Sequence, residues 1–251
     1  MQAVDRISVI LREICRAEHG ITLTELSDAV LLPKSTLHRI LRSLERERFV
    51  YQDDDTKRFR LGSEILLLGS RALNQIDIAD ISRPHMESLF KQLDETIFLS
   101  VFEKDRVVCV HRIEQVGRAV RYFVKVGAVM PFHCSAAGKA VLAYQPNKTV
   151  KSILQKCDYM RYTPLTMTDP NLLMEELERT RRSGYAVCDR EMEPLVRAIS
   201  APVLRHDGTA IASITCIGLI DQFRGTFMQE VAESIVECAA RASEQLQCTN
   251  V

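Results

Sequence analysis

The residues of this chain that are best suited to chemistry lie between positions 33 and 47. Leu37, Ile40, Leu41 and Leu44 recur at helical spacing and predict one buried stripe. Cations and hydroxyl groups fall outside that stripe, where they could bind phosphates and base edges in a DNA major groove. A solvated surface helix would show the same pattern, so the neighbouring segments are needed to distinguish it from a DNA-binding helix. The polar residues are Lys34, Ser35, His38, Arg39, Arg42 and Arg46.

Two helices are predicted before this segment. Residues 3–18 place their apolar side chains on one helical face, and residues 24–30 form a second, shorter helix. Thr22 or Thr24 can cap the second helix. Pro33, whose fixed φ suits a first helical position, then starts the third helix.

A β-hairpin is predicted after the third helix, because residues 49–52 and 58–61 alternate between polar and apolar types around a polar tip. This order of elements is a winged helix-turn-helix, and the hairpin adds cations where DNA phosphates would pass. We therefore predict that the partner is double-stranded operator DNA. The predicted DNA-binding residues are Thr22, Thr24, Lys34, Ser35, Thr36, His38, Arg39, Arg42, Lys57, Arg58 and Arg60.

The composition limits the class of protein. Lys and Arg number 33 and so do Asp and Glu, so DNA affinity has to come from a local basic patch. No apolar run approaches the ~18 residues that span a bilayer, so we expect a cytoplasmic protein with no membrane partner. The eight cysteines include no C-x-x-C pair, and most lie in apolar runs, which predicts reduced thiols.

Residues 64–75 are predicted to form a helix whose apolar surface is too broad for one small wing domain. It either packs against the domain core or contacts a second copy. We favour a homodimer or a dimer of dimers, because such DNA readers bind paired half-sites. The predicted sections of the chain are 1–62 for DNA binding, 63–80 as a linker helix and 81–251 for effector binding.

The C-terminal section is predicted as a mixed sheet of about six strands with helices on its faces, which makes the fold class α+β. Apolar runs between turn residues mark the strands, and caps mark the helices. The predicted strands are 96–103, 106–114, 119–126, 186–191, 197–204 and 210–218. After linking residues 76–82, the predicted helices are 85–93, started by Pro84, then 136–144, 148–156, 170–183 and 227–246.

The segment 131–144 (PFHCSAAGKAVLAY) is suited to a ligand. Ser135 can cap a helix, and Ala136, Ala137 and Gly138 leave room for a ligand to approach the backbone. The N–H groups and the positive dipole end of a helix N-terminus favour a carboxylate. Tight packing of this turn against the sheet would require the same small residues.

Several segments resemble one family, and the resemblance runs nearly from end to end. The segments ITLTELSDAVLLPKSTLHRILRSLERERFV, TKRFRLG and 131–144 are similar to the IclR family of bacterial transcriptional regulators. The resemblance implies a GAF-like or profilin-like α/β sensor domain with a mixed antiparallel sheet behind the winged helix. The family usually has glycine where Leu31, Arg48 and Lys57 stand. A positive φ there would cost on the order of 1 kcal/mol at each residue.

The same resemblance implies an effector pocket. The family often has an Asp at Cys188, a cysteine at Ala198 and serines at Thr215 and Ile217, so this pocket is less polar. We therefore expect an organic or sugar acid with a larger apolar body than a two- or three-carbon oxo acid. The predicted effector-binding residues are Val120, Ser135, Ala136, Ala137, Gly138, Cys188, Asp189, Val196, Ala198, Thr215 and Ile217.

Other site chemistries have weaker support. Cys109 and His111, two apart on a predicted strand, share a face and could bind zinc together with His133. Core packing explains them equally well, and we predict no metal and no cofactor. Cys134 precedes a helix N-terminus, which can lower a thiol pKa and favour oxidation, although simple pocket lining explains it better.

We interpret the chain as a ligand-responsive transcriptional regulator and not as an enzyme. It has no G-x-S-x-G, P-loop or G-x-G-x-x-G motif, and a solvated pair explains Asp189 and Glu191 as well as an acid–base site does. The resemblance to the IclR family favours a repressor of a catabolic operon. Two alternatives stay open: an enzymatic or metabolite-binding domain with an accessory DNA-binding module, and a structural protein–protein module.

Overall fold

The computed structural model describes residues 3–74, 77–114 and 124–249, and the chain divides into two compact units, Met1–Gln75 and Ile76–Val251. The division falls inside the segment predicted as a linker helix, 63–80. In the described part of the chain, no helix is both long and apolar enough to cross a membrane.

The first unit is a winged helix-turn-helix, as predicted. Its core is formed by Ile10, Leu26, Leu37, Leu41 and other apolar side chains on the inner faces of the first three helices and the hairpin. The hairpin strands pair antiparallel, and a neighbouring bridge joins Ile21 to the return strand. The elements are α1 (Ala3–Arg16), α2 (Leu23–Val30), α3 (Lys34–Arg46), β1 (Val50–Gln52), β2 (Phe59–Leu61) and α4 (Ser63–Asn74).

The start of α2 is fixed by a capping box. The Glu25 N–H donates to Thr22 Oγ1 at 3.3 Å, and the Thr22 N–H donates to Glu25 Oε2 at 2.8 Å. Thr22 is therefore the cap, and Thr24 is exposed. Pro33 lies at the N-cap position of α3, one residue before the position predicted for it.

The three residues that replace glycines of the family all adopt left-handed backbone conformations. The φ angle is 53° at Leu31, 60° at Arg48 and 55° at Lys57. A Cβ in this region clashes with the adjacent carbonyl oxygen, so the turns keep their geometry at the expense of stability.

The second unit contains a five-stranded sheet in the order β4-β3-β7-β6-β5. Each pairing between its described strands is antiparallel. The predicted mixed sheet therefore has no parallel pair among the described strands. Of the predicted strand 119–126, residues 119–123 lie outside the described residues, and 124–126 are not in a strand. The elements are α5 (Asp77–Leu93), β3 (Thr96–Glu103), β4 (Arg106–Ile113), α6 (Ala136–Ala143), α7 (Asn147–Lys156), α8 (Pro170–Ser183), β5 (Ala186–Asp189), β6 (Val196–Leu204), β7 (Ala210–Leu219) and α9 (Gly225–Thr249).

Helices cover both faces of this sheet. The helices α5 and α9 pack on one face, and α6, α7 and α8 pack on the other. The helix α5 begins at Asp77 and contains Pro84, so the prediction of linking residues before Pro84 is wrong. Ile78 and Ile81, which precede the proline, are buried in the core, and this packing explains why the helix extends past it.

A β-bulge separates two residues that the sequence placed on one face. Leu99 lies opposite His111, and Ser100 lies opposite Cys109, so Val110 is the extra residue. Cys109 consequently packs on the α6 face of the sheet. His111 lies near Arg83 and Glu87 of α5 on the opposite face, so the expectation that Cys109 and His111 share a face is wrong.

Leu31→Gly should stabilise the first unit. The Leu31 side chain is 87% exposed, so little packing is lost, whereas the left-handed strain disappears. We expect the free energy of unfolding to rise by about 1 kcal/mol, measured by urea denaturation. Ala29→Gly, at an exposed helical position two residues earlier, is the matched control and should lower it by about 1 kcal/mol. A loss of stability in Leu31→Gly would contradict this account of the turn.

Candidate functional site

The outer face of α3 is a polar surface that includes two cations without an ion pair among the described residues. Lys34, Ser35, His38 and Arg39 are exposed, and Thr36 is half-buried at the edge of the face. The side chains of Lys34 and Arg39 form no ion pair within the described residues, whereas Arg42 Nη1 lies 3.1 Å from Glu45 Oε2. Leu37, Leu41 and Leu44 are buried on the opposite side, as predicted. The helix therefore presents a row of donors outward.

The three cations of the wing have different environments. Lys57 is exposed at the tip. Arg58 instead donates to the Gly20 carbonyl at 2.8 Å and pairs with Glu25 at 3.2 Å. Arg60 Nη2 donates to the His19 carbonyl at 3.4 Å. Arg58 and Arg60 therefore hold β2 against the link between α1 and α2 in this structure, and their contact with DNA phosphates stays a prediction.

The second unit contains a cavity of about 180 Å³ between the sheet and the N-terminus of α6. Its walls are mainly apolar, and eight of the predicted effector residues line it: Ser135, Ala136, Ala137, Cys188, Val196, Ala198, Thr215 and Ile217. Pairing between strands sets their positions. Cys188, Ala198 and Ile217 form one row across three strands, and Phe98 and Thr215 lie opposite each other in the next row.

Two backbone donors at the start of α6 belong to residues that line this cavity. Ser135 is the N-cap residue: its hydroxyl donates to the Pro131 carbonyl at 2.6 Å and accepts from the Gly138 N–H at 2.9 Å. The N–H groups of Ala136 and Ala137 have no hydrogen-bond partner among the described residues. Both residues line the cavity. Unpaired N–H groups at a helix N-terminus form an anion site.

One side-chain hydroxyl adds a hydrogen-bond acceptor to the cavity wall. Thr215 Oγ1 lies 2.8 Å from Ser200 Oγ, which also donates to the Ile214 carbonyl at 3.2 Å. Thr215 lines the cavity, and Ser200 is buried behind it. The pair gives the otherwise apolar sheet wall one polar group.

Two of the predicted effector residues, Gly138 and Asp189, do not line the described cavity. A Cβ at Gly138 would lie 2.4 Å from the Pro131 carbonyl oxygen, so this glycine serves close packing. Asp189 Oδ2 lies 2.9 Å from Arg197 Nη2, and this ion pair, with a second to Arg190, holds the pKa of Asp189 below its usual value despite partial burial. Val120 lies outside the described residues.

The structure adds cavity residues that the sequence analysis missed. Phe98 comes from a central strand buried on both faces, so its sequence pattern does not indicate which face it occupies. The others belong to irregular segments, which periodicity does not place. The added residues are Phe98, Val124, Ala128, Val129, Met130, Met192 and Glu193.

The environments of Cys134 and Cys109 do not favour the two weaker alternatives, a redox-active thiol and a zinc site. Burial raises the pKa of Cys134 far above its usual value, which disfavours thiol activation by the helix N-terminus. Cys134 is not among the residues that line the described cavity, so the favoured interpretation as pocket lining is not borne out there. Burial also raises the pKa of Cys109 to about 11. Among the described residues, no three His, Cys, Asp or Glu side chains lie together in a way that could hold a metal ion.

Two domain profiles match this arrangement. Residues 3–54 match the IclR helix-turn-helix domain, and residues 70–244 match the bacterial transcriptional regulator IclR C-terminal domain. The chain belongs to the IclR family of bacterial transcriptional regulators. This IclR-family regulator therefore combines a helix-turn-helix with the C-terminal domain of that family.

The regulator is similar to known proteins over nearly its whole length. It is 30% identical to the HTH-type transcriptional regulator KdgR of Escherichia coli K12 over 91% of this chain and 87% of that protein. A solved IclR transcriptional regulator from Alicyclobacillus acidocaldarius has a TM-score of 0.82 at 27% identity, covering 97% and 99% of the two chains.

A third comparison shows the fold alone. An IclR homologue from Microbacterium hydrocarbonoxydans, solved in complex with 4-hydroxybenzoate, has a TM-score of 0.82 at 24% identity and covers 98% of this chain and 99% of its own.

Proposed function

We propose that this regulator is a repressor that binds paired operator half-sites through α3 and the wing tip. The observation that carries the proposal is the exposed face of α3, where Lys34 and Arg39 form no ion pair in the described part of the chain. Donors on a helix that enters the major groove read base edges, and cations beside it bind phosphates. Lys57 adds a phosphate contact at the wing.

We propose that its effector is a monocarboxylic acid with an apolar body the size of one six-membered ring. The N–H groups of Ala136 and Ala137 supply the carboxylate site, and Thr215 adds a hydroxyl. An apolar cavity of about 150 Å³ accommodates benzene in another protein. The volume of about 180 Å³ leaves room for a ring with a carboxylate. The 4-hydroxybenzoate bound by the related structure has this size and charge.

We propose that the regulator assembles as a dimer, or as a dimer of dimers, through α4. Leu66, Leu67 and Leu68 are 75%, 46% and 47% exposed, so the core of the first unit does not cover them. Burying apolar side chains of this size against a second copy would stabilise the assembly, and two copies would match two half-sites. The regulator would act in the cytoplasm, without catalytic turnover of its effector.

Substitutions on α3 and the wing should affect DNA binding in different ways. Arg39→Ala should lose about 10- to 100-fold in affinity for a duplex selected by the wild-type protein, and much less for a scrambled duplex. Lys57→Ala should weaken both duplexes equally and lower the salt slope by about one unit. Fluorescence anisotropy at several salt concentrations measures both effects. Arg241→Ala, on the exposed face of α9, is the control and should change neither. Equal losses on both duplexes in Arg39→Ala would refute base reading by this residue.

Ligand affinity should depend on both the ring and the carboxylate. In calorimetric titrations we expect benzoate to bind, and pyruvate and glyoxylate to bind at least tenfold more weakly because they leave the apolar wall in water. Benzamide matches benzoate in shape but lacks the charge that strengthens bonds to backbone N–H groups, so it should also bind at least tenfold more weakly. Tight binding of the short oxo acids, without binding of ring acids, would overturn the proposed effector class.

A further inference from the structure

Lys139 is a fully buried cation on the helix that carries the ligand donors. It belongs to α6, three residues after Ala136, and is 1% exposed. Its Nζ lies 2.6 Å from Glu191 Oε1 and 3.8 Å from Glu176 Oε1. Glu191 Oε2 is also buried and has no partner among the described residues. Neither Lys139 nor Glu191 lines the cavity.

The ion pair joins two parts of the cavity that are distant in sequence. The first turn of α6 forms the floor through Ala136 and Ala137. Glu191 is the second residue of the irregular segment between β5 and β6, from which Met192 and Glu193 contribute to the wall. The bond from Lys139 to Glu191 is therefore a direct link from the floor to the wall.

Other hydrogen bonds hold the two ends of this segment in place. The Arg190 N–H donates to the Val196 carbonyl at 3.0 Å, and the Thr166 hydroxyl donates to the Glu191 carbonyl at 2.6 Å. These bonds close the segment on itself and attach it to the loop before α8. Among the described contacts, the side chain of Glu191 is the group that connects the start of the segment to α6.

Stability alone does not explain a buried ion pair. Removing two charges from water is so unfavourable that well-packed apolar residues of similar volume are often as stable or more stable. A buried pair does, however, favour one geometry, because each charge needs its partner at a short distance. Glu176 is also paired with Arg179 at 2.6 Å near the surface, so it keeps a cation when Lys139 is replaced.

We propose that Lys139 and Glu191 are positioning residues of the ligand site, and that their ion pair fixes the 191–196 wall at the distance from α6 that closes the cavity around the acid. This inference rests on the ligand pocket proposed above. It assigns a role to Lys139, the largest fully buried side chain among the described residues.

The decisive variant is the double substitution Lys139→Met/Glu191→Leu in the full chain. We expect its urea midpoint to equal or exceed that of the wild type, since no charge is left unpaired. Amide hydrogen exchange at Arg190 and Val196 should nevertheless accelerate at least tenfold, whereas exchange at Ile214 in β7 stays unchanged. Benzoate affinity should fall at least tenfold.

Two further variants separate positioning from folding. Glu191→Gln keeps the side-chain shape, and Lys139 retains Glu176 as a counter-ion, so this variant should fold and show exchange at Arg190 and Val196 raised about threefold. Arg179→Ala removes a mostly exposed cation and leaves the pair intact, so its exchange and benzoate affinity should match the wild type.

The outcomes distinguish this inference from the proposed effector class. Wild-type exchange in the double variant, or an unchanged benzoate affinity in a double variant that folds, would overturn the positioning role. A lowered urea midpoint together with unaltered exchange would assign the pair to stability instead. If the wild type bound none of the acids while the exchange changed as expected, the effector class would fail and the link between floor and wall would stand.

Discussion

The second unit depends on the close approach of the first turn of α6 to the loop before it and to the sheet. Gly138 makes this approach possible, because a Cβ there would meet the Pro131 carbonyl oxygen at 2.4 Å. Ser135 then satisfies the Gly138 N–H, whereas the N–H groups of Ala136 and Ala137, two residues that line the cavity, have no partner among the described residues. One packing constraint thus places two unpaired donors against an apolar wall, where an anion with an apolar body gains most.

In the first unit, by contrast, the turns on either side of α3 adopt unfavourable backbone conformations. Leu31, in the turn between α2 and α3, has a φ of 53°, and Arg48, just after the end of α3, has a φ of 60°. Glycine would adopt these angles without strain. The unit keeps a winged helix-turn-helix geometry because the buried stripe of α3 and the bonds of Arg58 to Gly20 and Glu25 hold the flanking elements.

Much of the fold was predictable because short-range patterns determine it. Helical periodicity and candidate caps such as Ser135 placed most helices within one or two residues of their observed ends. The start of α5 was missed because Pro84 reads as a helix start in sequence, whereas the buried side chains before it keep the helix continuous.

The site was predictable only in part, because its remaining determinants are long-range. The bulge at Val110, which moves His111 to the other face, depends on pairing with β3. Asp189 and Arg58 resemble ligand-binding groups until their partners are known, and those partners lie 8 and 33 residues away in sequence. The link from Lys139 to Glu191 spans 52 residues, and no local pattern indicates it.

The central claim is that an anionic ligand binds the two backbone N–H groups at the start of α6. The most direct test is a titration of the ¹⁵N-labelled protein with benzoate, followed by NMR of the backbone amides. We expect the amide protons of Ala136 and Ala137 to shift downfield by more than those of the rest of the second unit, and we expect benzamide not to reproduce the shift. Binding of benzoate that leaves these two resonances unchanged would contradict it.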